Sequence, residues 1–436
     1  MKTKSMNPER RQIGSHVRMQ SSPRRAIFVY LVMVLSVMAL PVVAQEGPES
    51  FVANATENNP ALRVAQARYE AARLQAPQAA ALPDLKIGAG YFAVPVETRL
   101  GPQVATLSVS QSFPWFGTLG AEEEAAGARA RQAQAELRDA RNRLAADVRA
   151  VWYRMFVLER SIARSREQLA FLSTVRELAR VRYEAGKTGY TDVLRLQMEA
   201  EELETRIQTL EDSREALRTQ MEQLVNAPVS SPGVFPDVLP PMPMLPAEDA
   251  LRERMLAHNP LLQRLDDEGA YWNHRSDAAR LMGYPMFTVG VTYTAIDPRT
   301  DMVVDGSGRD AILPQIGISI PLFGSRYSAM EEQAEQQGIA ARQSRDDMRN
   351  RLLVQLEERL RDYRDALRRR DLNQRLTGIA EQTREVGLQE YSTGMKNLED
   401  LLVIERSLLR YALAGEQAEA DLRTTYDVIM YLTAEE

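Results

Sequence analysis

The stretch YEAGKTGYTDVL (Tyr183–Leu194) interrupts a long helical pattern and returns in similar form as YSTGMKNLEDLL (Tyr391–Leu402). A tyrosine, a glycine, an aspartate and a leucine recur at matching places, each pair 208 positions apart. Glycine readily takes the left-handed conformation that ends a helix, and an acidic residue is favoured in the first turn of the next one. The two stretches therefore predict the tips of two helical hairpins.

Further motifs recur in the same order and indicate a tandem duplication. NPAL (59–62) corresponds to NPLL (259–262), and FPWFG (113–117) corresponds to IPLFG (320–324). Between the halves, residues 228–246 contain seven prolines. Proline at this density opposes helix and favours an extended connection, so we predict a stiff linker here.

Each half is predicted to contain a short helix, a β-hairpin and a long helical hairpin. The predicted bounds are 45–227 for the first repeat, with strands at about 85–113 and long helices at 117–226, and 247–436 for the second, with strands at about 286–320 and long helices at 325–434. The predicted strands are roughly ten residues long and alternate apolar with small or polar residues, as membrane β-strands do. Aromatic residues cluster near their ends, which suits a membrane interface.

The long helices carry coiled-coil spacing, with apolar residues three and four positions apart. In the first repeat the stripe is Leu144, Val148, Val151, Met155, Leu158, Ile162, Ser165, Leu169, Leu172, Arg176, Ala179 and Tyr183, and it resumes after the tip at Val193. In the second repeat it is Leu353, Leu356, Leu360, Tyr363 and Leu367, then Leu372, Leu376, Ile379, Thr383 and Val386. A helix from about 117 to 186 is on the order of 100 Å long, too long for a compact domain.

Composition excludes several classes of site. The chain of 436 residues has a net charge of -6, no cysteine and three histidines that are not at metal-ligand spacing. We find no nucleotide-binding loop and no nucleophile signature, so we expect no enzymatic activity, no cofactor, no metal site and no nucleic-acid partner. Met242 and Met244 could offer soft copper ligands, but two methionines in a proline-rich linker are more often filler.

The N-terminus predicts export. Arg24 and Arg25 precede an uncharged apolar run that ends in small residues at Ala44, so residues 1–44 are predicted to be a signal peptide. The alternative is an uncleaved inner-membrane anchor. Without a cysteine the mature chain cannot be lipid-anchored in the usual way. If the mature chain spans a membrane, it must do so as a closed β-barrel, because no second apolar stretch reaches helical membrane length.

Taken together, the NPAL and NPLL openings, the QSFPWFG and SIPLFG junctions and the two tips resemble the TolC family of outer-membrane efflux channels. QSFPWFG is most similar to the branch that exports heavy-metal cations. The resemblance implies a mainly helical fold with membrane β-strands, in a homotrimer that closes a twelve-stranded barrel above a helical periplasmic tunnel. It implies passive conduction across the outer membrane of a Gram-negative-type bacterium, in contact with outer-membrane lipid. The implied partners are a periplasmic adaptor (membrane fusion protein) and an inner-membrane transporter of the RND type.

The resemblance also implies three groups of site residues. The periplasmic gate would comprise Asp192, Lys396, Glu399 and Asp400, with Asp192 and Lys396 paired across neighbouring helices in the closed state. The adaptor-docking tips would comprise Gly186, Thr188, Gly189, Gly394 and Met395. The strand-to-helix junctions would comprise Pro114, Phe116, Gly117, Pro321, Phe323 and Gly324. The simpler alternative is that Asp192 and Asp400 only cap helices, and Val403 replaces a second family aspartate.

Other functions remain open at this point. The channel could serve a type I system that secretes proteins or peptides, since the pump selects the substrate. A periplasmic adaptor is also built on a helical hairpin, but it would need one hairpin and small β-domains. A soluble coiled-coil structural protein would not need strands of membrane length.

Overall fold

A computed structural model describes residues 47–229, 235, 236 and 238–434. The predicted signal peptide, residues 1–44, lies outside the described residues. No helix within these ranges combines the length and the apolar character needed to cross a membrane.

Each repeat begins with short helices. In the first repeat these are α1 (Pro48–Asn58), α2 (Pro60–Arg73) and α3 (Gln75–Ala79), and in the second they are α6 (Glu248–His258) and α7 (Pro260–Met282). Each repeat continues with two strands and two long helices. These are β1 (Lys86–Thr98), β2 (Gly101–Phe113), α4 (Thr118–Glu184) and α5 (Tyr190–Val225), then β3 (Met286–Ile296), β4 (Ala311–Ser319), α8 (Ser325–Thr393) and α9 (Leu398–Leu432).

The repeated Asn-Pro motif joins the beginning of each repeat to its end. The side chain of Asn59 accepts hydrogen bonds from the backbone N–H groups that open α2, as an N-cap residue does, and Pro60 occupies the first helical position. The Asn59 amide also donates to the carbonyl of Leu224 near the end of α5, at 2.8 Å. Asn259 repeats the arrangement, because it caps α7 and donates to the carbonyl of Leu432 at 2.9 Å. Both asparagines are buried, so the motif closes each repeat upon itself.

The four strands form one antiparallel sheet in the order β1-β2-β3-β4. The two repeats meet between β2 and β3, where Phe113 lies opposite Phe287 and Val109 opposite Val291. Within this protomer β1 and β4 are the edges of the sheet. The outer sides of these two strands can therefore pair with strands of other chains.

Apolar side chains of the sheet are exposed to a degree that is unusual for a folded domain. Every residue of β4 is exposed, including Ile312, Ile316 and Ile318. On β1, Tyr91 is 80% exposed. Large exposed apolar patches of this kind mark contact with a membrane or another chain rather than with water.

The long helices bury most of the predicted stripe in the first repeat but not in the second. On α4 the apolar residues of the stripe from Leu144 through Ala179 enter two cores, as predicted, whereas Arg176 is exposed. On the distal part of α8 the predicted stripe is wrong as a buried face, because Leu372, Ile379 and Val386 are exposed. The buried residues there are Ala380, Gly387 and, at the tip, Tyr391.

The reason is the close approach of α9 to α8. A Cβ atom placed on Gly387 would lie 3.1 Å from Cδ1 of Ile404, so only glycine fits without adjustment. A residue without a side chain therefore faces α9 at this point, whereas Leu372, Ile379 and Val386 are on the exposed side of α8.

The described part of the proline-rich linker packs against the helices. Phe235 contacts Trp152 and Phe156 of α4, with ring centroids 5.3 and 6.3 Å apart. Val229 and Leu239 are buried in the same core. The described part of the linker is therefore not a free connector. It contributes side chains to the core of the first repeat.

Candidate functional site

The first tip is a glycine turn between α4 and α5. Gly186 has φ +68°, and the turn is closed by the N–H of Lys187, which donates to the carbonyl of Arg182 at 2.8 Å. A left-handed residue after a helix C-terminus is favoured as glycine because it lacks Cβ. The hydroxyl of Thr188 donates to the carboxylate of Asp192, which lies in the first turn of α5.

The second tip has the same backbone form with different side-chain contacts. Gly394 has φ +86°, and the N–H of Met395 donates to the carbonyl of Glu390 at 2.9 Å. The ammonium of Lys396 donates to the carboxylate of Glu390 at 3.0 Å. Met395 itself is 76% exposed and extends from the turn.

Asparagine, not aspartate, caps the returning helix of the second tip. The side chain of Asn397 accepts from the backbone N–H of Asp400 at 2.9 Å and is the N-cap of α9. At the first tip the N-cap position is Gly189, which has no side-chain cap. The simple alternative in which Asp192 and Asp400 are the cap residues is therefore wrong. Their carboxylates lie in the first helical turn, where they are favoured by the helix dipole.

The two tips of one protomer are joined by Arg182 and Tyr391. The guanidinium of Arg182 donates to the carbonyl of Tyr391 and lies over its ring, 4.7 Å from the centroid. Tyr391 is only 1% exposed. Burial raises the pKa of the Tyr391 hydroxyl, and the carboxylate of Asp192 raises it further. This contact brings the end of α4, the end of α8 and the start of α5 together.

Ion pairs join the returning helices α5 and α9. Arg195 of α5 donates to Glu399 of α9 at 2.9 Å, and one turn further Arg406 of α9 pairs with Glu199 of α5. The Arg195–Glu399 pair is exposed on both sides and Glu199 is partly buried, and solvent-exposed pairs contribute little to stability. These ion pairs therefore influence the orientation of α5 and α9 more than the stability of their contact.

The four predicted gate residues each contact residues outside the predicted gate in the described protomer. Within one protomer Asp192 is engaged with Thr188, and Lys396 is engaged with Glu390. Glu399 has the partner Arg195.

Sequence reasoning missed Arg182, Arg195 and Glu390 as contact residues of the tips. No local pattern distinguishes these three from the many other charged residues on the helices. Asn397 could have been found, because an asparagine three residues before an acidic residue at a helix start is a typical capping signature.

The strand-to-helix junctions of the two repeats differ in backbone form. Gly117 has φ +87°, whereas Gly324 has φ −64° and needs no glycine for conformational reasons. Trp115 stacks on Tyr284, with centroids 5.2 Å apart. Phe116 and Phe323 are exposed. Aromatic and apolar side chains therefore follow Pro114 and Pro321. They form a surface where the sheet ends and the long helices begin.

The described residues contain no group of three or more His, Asp or Glu side chains arranged to hold a metal ion. Met244 is 92% exposed, and Met242 lines a groove between the linker and the helices. Met244 lines the same groove.

Comparison with known proteins gives one family and several similar folds. Residues 51–227 match the family model described as outer membrane efflux protein. No characterised protein sequence matches the chain. Among solved structures, the outer-membrane channel OprN superposes with a TM-score of 0.72 at 20% identity, covering 89% of this chain and 90% of that one.

Two further structures have the same fold. VceC of Vibrio cholerae has a TM-score of 0.71 at 19% identity, covering 88% of this chain and 96% of its own. CusC has a TM-score of 0.72 at 15% identity, covering 89% of this chain and 92% of its own. Residues 51–227 thus match the outer membrane efflux protein model, and the chain has the mainly helical fold, with two β-hairpins and long helices, of these outer-membrane channels.

Proposed function

We propose that this protein is the outer-membrane channel of a tripartite efflux system and conducts substrate passively to the cell exterior. The observation that carries the proposal is the sheet, whose apolar side chains are exposed and whose outer edges, on β1 and β4, have no paired strand in the described part of the protomer. Strand edges cannot remain unpaired in lipid. Three copies would close a sheet of twelve strands, and the long helices would extend into the periplasm.

The substrate is proposed to be metal cations or small toxic molecules. The QSFPWFG junction favours the heavy-metal branch, and CusC is among the similar folds, as are channels outside that branch. The channel does no chemistry in this proposal. A periplasmic adaptor and an inner-membrane transporter of the RND type would supply energy and select the substrate.

The tips are the proposed periplasmic entrance. Three copies of Asp400, exposed in the first turn of α9, would form an acidic ring there. Asp192 of one copy and Lys396 of the next would pair in the closed state, exchanging their contacts with Thr188 and Glu390. The exposed turns around Gly186 and Gly394 would receive the adaptor.

Membrane fractionation and planar bilayers test the proposal. The protein is expected in outer membranes as a trimer that dissociates on heating, and the purified trimer is expected to form ion channels. A monomer in the soluble periplasmic fraction would refute it and favour the coiled-coil structural alternative. Restored secretion of a protein substrate, without restored efflux, would favour the type I secretion alternative.

A further inference from the structure

Glu405 is a buried carboxyl group in the middle of a helical contact. It lies on α9, one turn beyond Asp400, and is only 2% exposed. Its neighbours on α9 that are equally buried, such as Leu401, Leu402 and Leu408, are apolar. A glutamate at such a position is costly when ionised unless it is paired and hydrogen-bonded.

Charged groups from two other helices face Glu405 around a cavity of about 180 Å³. Arg164 and Glu167 come from α4, and Glu381 and Arg384 come from α8. These four side chains balance one another, two positive and two negative. Ionised Glu405 would therefore add a negative charge that the set does not already neutralise.

The hydrogen bonding of this layer is incomplete. Oε1 of Glu405 is buried and accepts no hydrogen bond, and its contact with Nε of Arg384 is 3.9 Å long. On α4, Oγ of Ser165 and Oε1 of Gln168 are buried without hydrogen bonds as well. Such atoms are rare in folded proteins, and an ionised carboxylate here would lack the hydrogen bonds that stabilise a buried charge.

Arg384 lies between two possible partners, Phe171 and Glu405. Its guanidinium lies 5.4 Å from the ring centroid of Phe171, so it connects α8 to α4 by a cation–π contact. It is also the nearest cation to Glu405. Burial raises the pKa of Glu405 to about 7, and the charge of Arg384 opposes that rise.

We propose that Glu405 is a proton-operated latch between the two helical hairpins. With Glu405 protonated, Arg384 stays over Phe171 and the second hairpin is held against α4. When Glu405 loses its proton, Arg384 moves onto the carboxylate, the contact with Phe171 is lost, and α8 and α9 loosen from α4. The consequence for conduction rests on the proposed channel function, since the latch is about one turn from the proposed acidic ring.

The proposed loosening of α8 from α4 is tested by a distance measurement that does not depend on conduction. The chain has no cysteine, so spin labels on Thr174→Cys and Gln382→Cys, both exposed, report the separation of α4 and α8. Labelled chain is diluted with unlabelled chain, so that only distances within one protomer are read by pulsed EPR. The distance is expected to increase between pH 5.5 and 8.5, with a midpoint at about 7.

Two variants and a control decide the assignment. Glu405→Gln is expected to abolish the shift and hold the low-pH distance, whereas Glu385→Gln, an exposed site on α8, leaves the shift unchanged. Arg384→Gln is expected to raise the midpoint by about 1 pH unit, because a nearby cation no longer favours the ionised form. A distance that does not change with pH, or a shift that persists in Glu405→Gln, would overturn the latch.

Conductance of the unlabelled trimer over the same pH range separates the latch from the proposed function. If the open probability changes with the same pH midpoint as the distance, and no longer depends on pH in Glu405→Gln, the result supports both the latch and the channel function. A distance shift in a protein that forms no channel leaves the latch standing and counts against the channel.

Discussion

Replacing Asp400 by alanine separates a charge effect from a capping effect at the second tip. In the proposed channel three copies of this carboxylate attract cations to the entrance. Under the capping alternative the aspartate would matter only because it stabilises the start of α9. The hydrogen bond at this position runs from the backbone N–H of Asp400 to the side chain of Asn397, at 2.9 Å.

The hydrogen bonds predict different losses of stability for Asp400→Ala and Asn397→Ala. Alanine at position 400 keeps the backbone N–H and therefore the capping bond, so Asp400→Ala loses only the helix-dipole contribution, about 0.5 kcal/mol. Asn397→Ala removes the cap acceptor and is expected to cost about 1 kcal/mol. The unfolding temperature should therefore fall more for Asn397→Ala than for Asp400→Ala.

The assay is the reversal potential in planar bilayers under a KCl gradient. Asp400→Ala is expected to move it toward zero, since cation preference is lost, while Asn397→Ala leaves it unchanged. Asp212→Ala, an exposed site on α5 far from the tip, controls for the loss of one negative charge per chain. An unchanged reversal potential in a stable Asp400→Ala trimer would refute the acidic ring.

Three further predictions address the sheet, the tips and the buried glutamate. Deleting residues 286–320 removes β3 and β4 and leaves β2 as an unpaired edge, so no trimer is expected on unheated gels; a normal trimer would contradict the membrane role of these strands. Gly186→Trp or Gly394→Trp is expected to abolish efflux in a resistance assay with trimer levels unchanged, because a bulky side chain blocks the adaptor; adaptor crosslinks confined to the linker would contradict it. Because the folded state holds the proton of Glu405 up to a pKa of about 7, above the ordinary value of 4.5, stability is expected to fall as pH rises between these values and then level off. Glu405→Gln should remove that part of the pH dependence of the unfolding temperature, and an unaltered profile would show that the glutamate does not titrate there.

The order of elements could be predicted from the sequence because it depends on neighbours along the chain. A 3-and-4 apolar period gives a helix, alternation gives a strand, and glycine followed by an acidic residue gives a turn between helices. Gly186 and Gly394 both have positive φ, as their places in the turns require. The duplication also guided the prediction, since each motif was visible twice.

The faces of the second long helix could not be predicted in the same way. Leu372, Ile379 and Val386 have coiled-coil spacing, yet α9 packs against Ala380 and Gly387 instead. Spacing identifies a stripe that needs a partner, but not which helix the partner is. In the described protomer these three residues remain exposed.

The sequence by itself determined the order of two β-hairpins and two long helical hairpins in a tandem repeat, since those features follow from local patterns and turn chemistry. Only the tertiary structure decided which charged residues meet. Arg182 reaches Tyr391, and Glu405 lies between α4 and α8, through contacts between residues far apart in the chain. Many arginines and glutamates on these helices have similar local surroundings. Burial and the approach of a second helix select among them, and neither is encoded within a few residues of the side chain concerned.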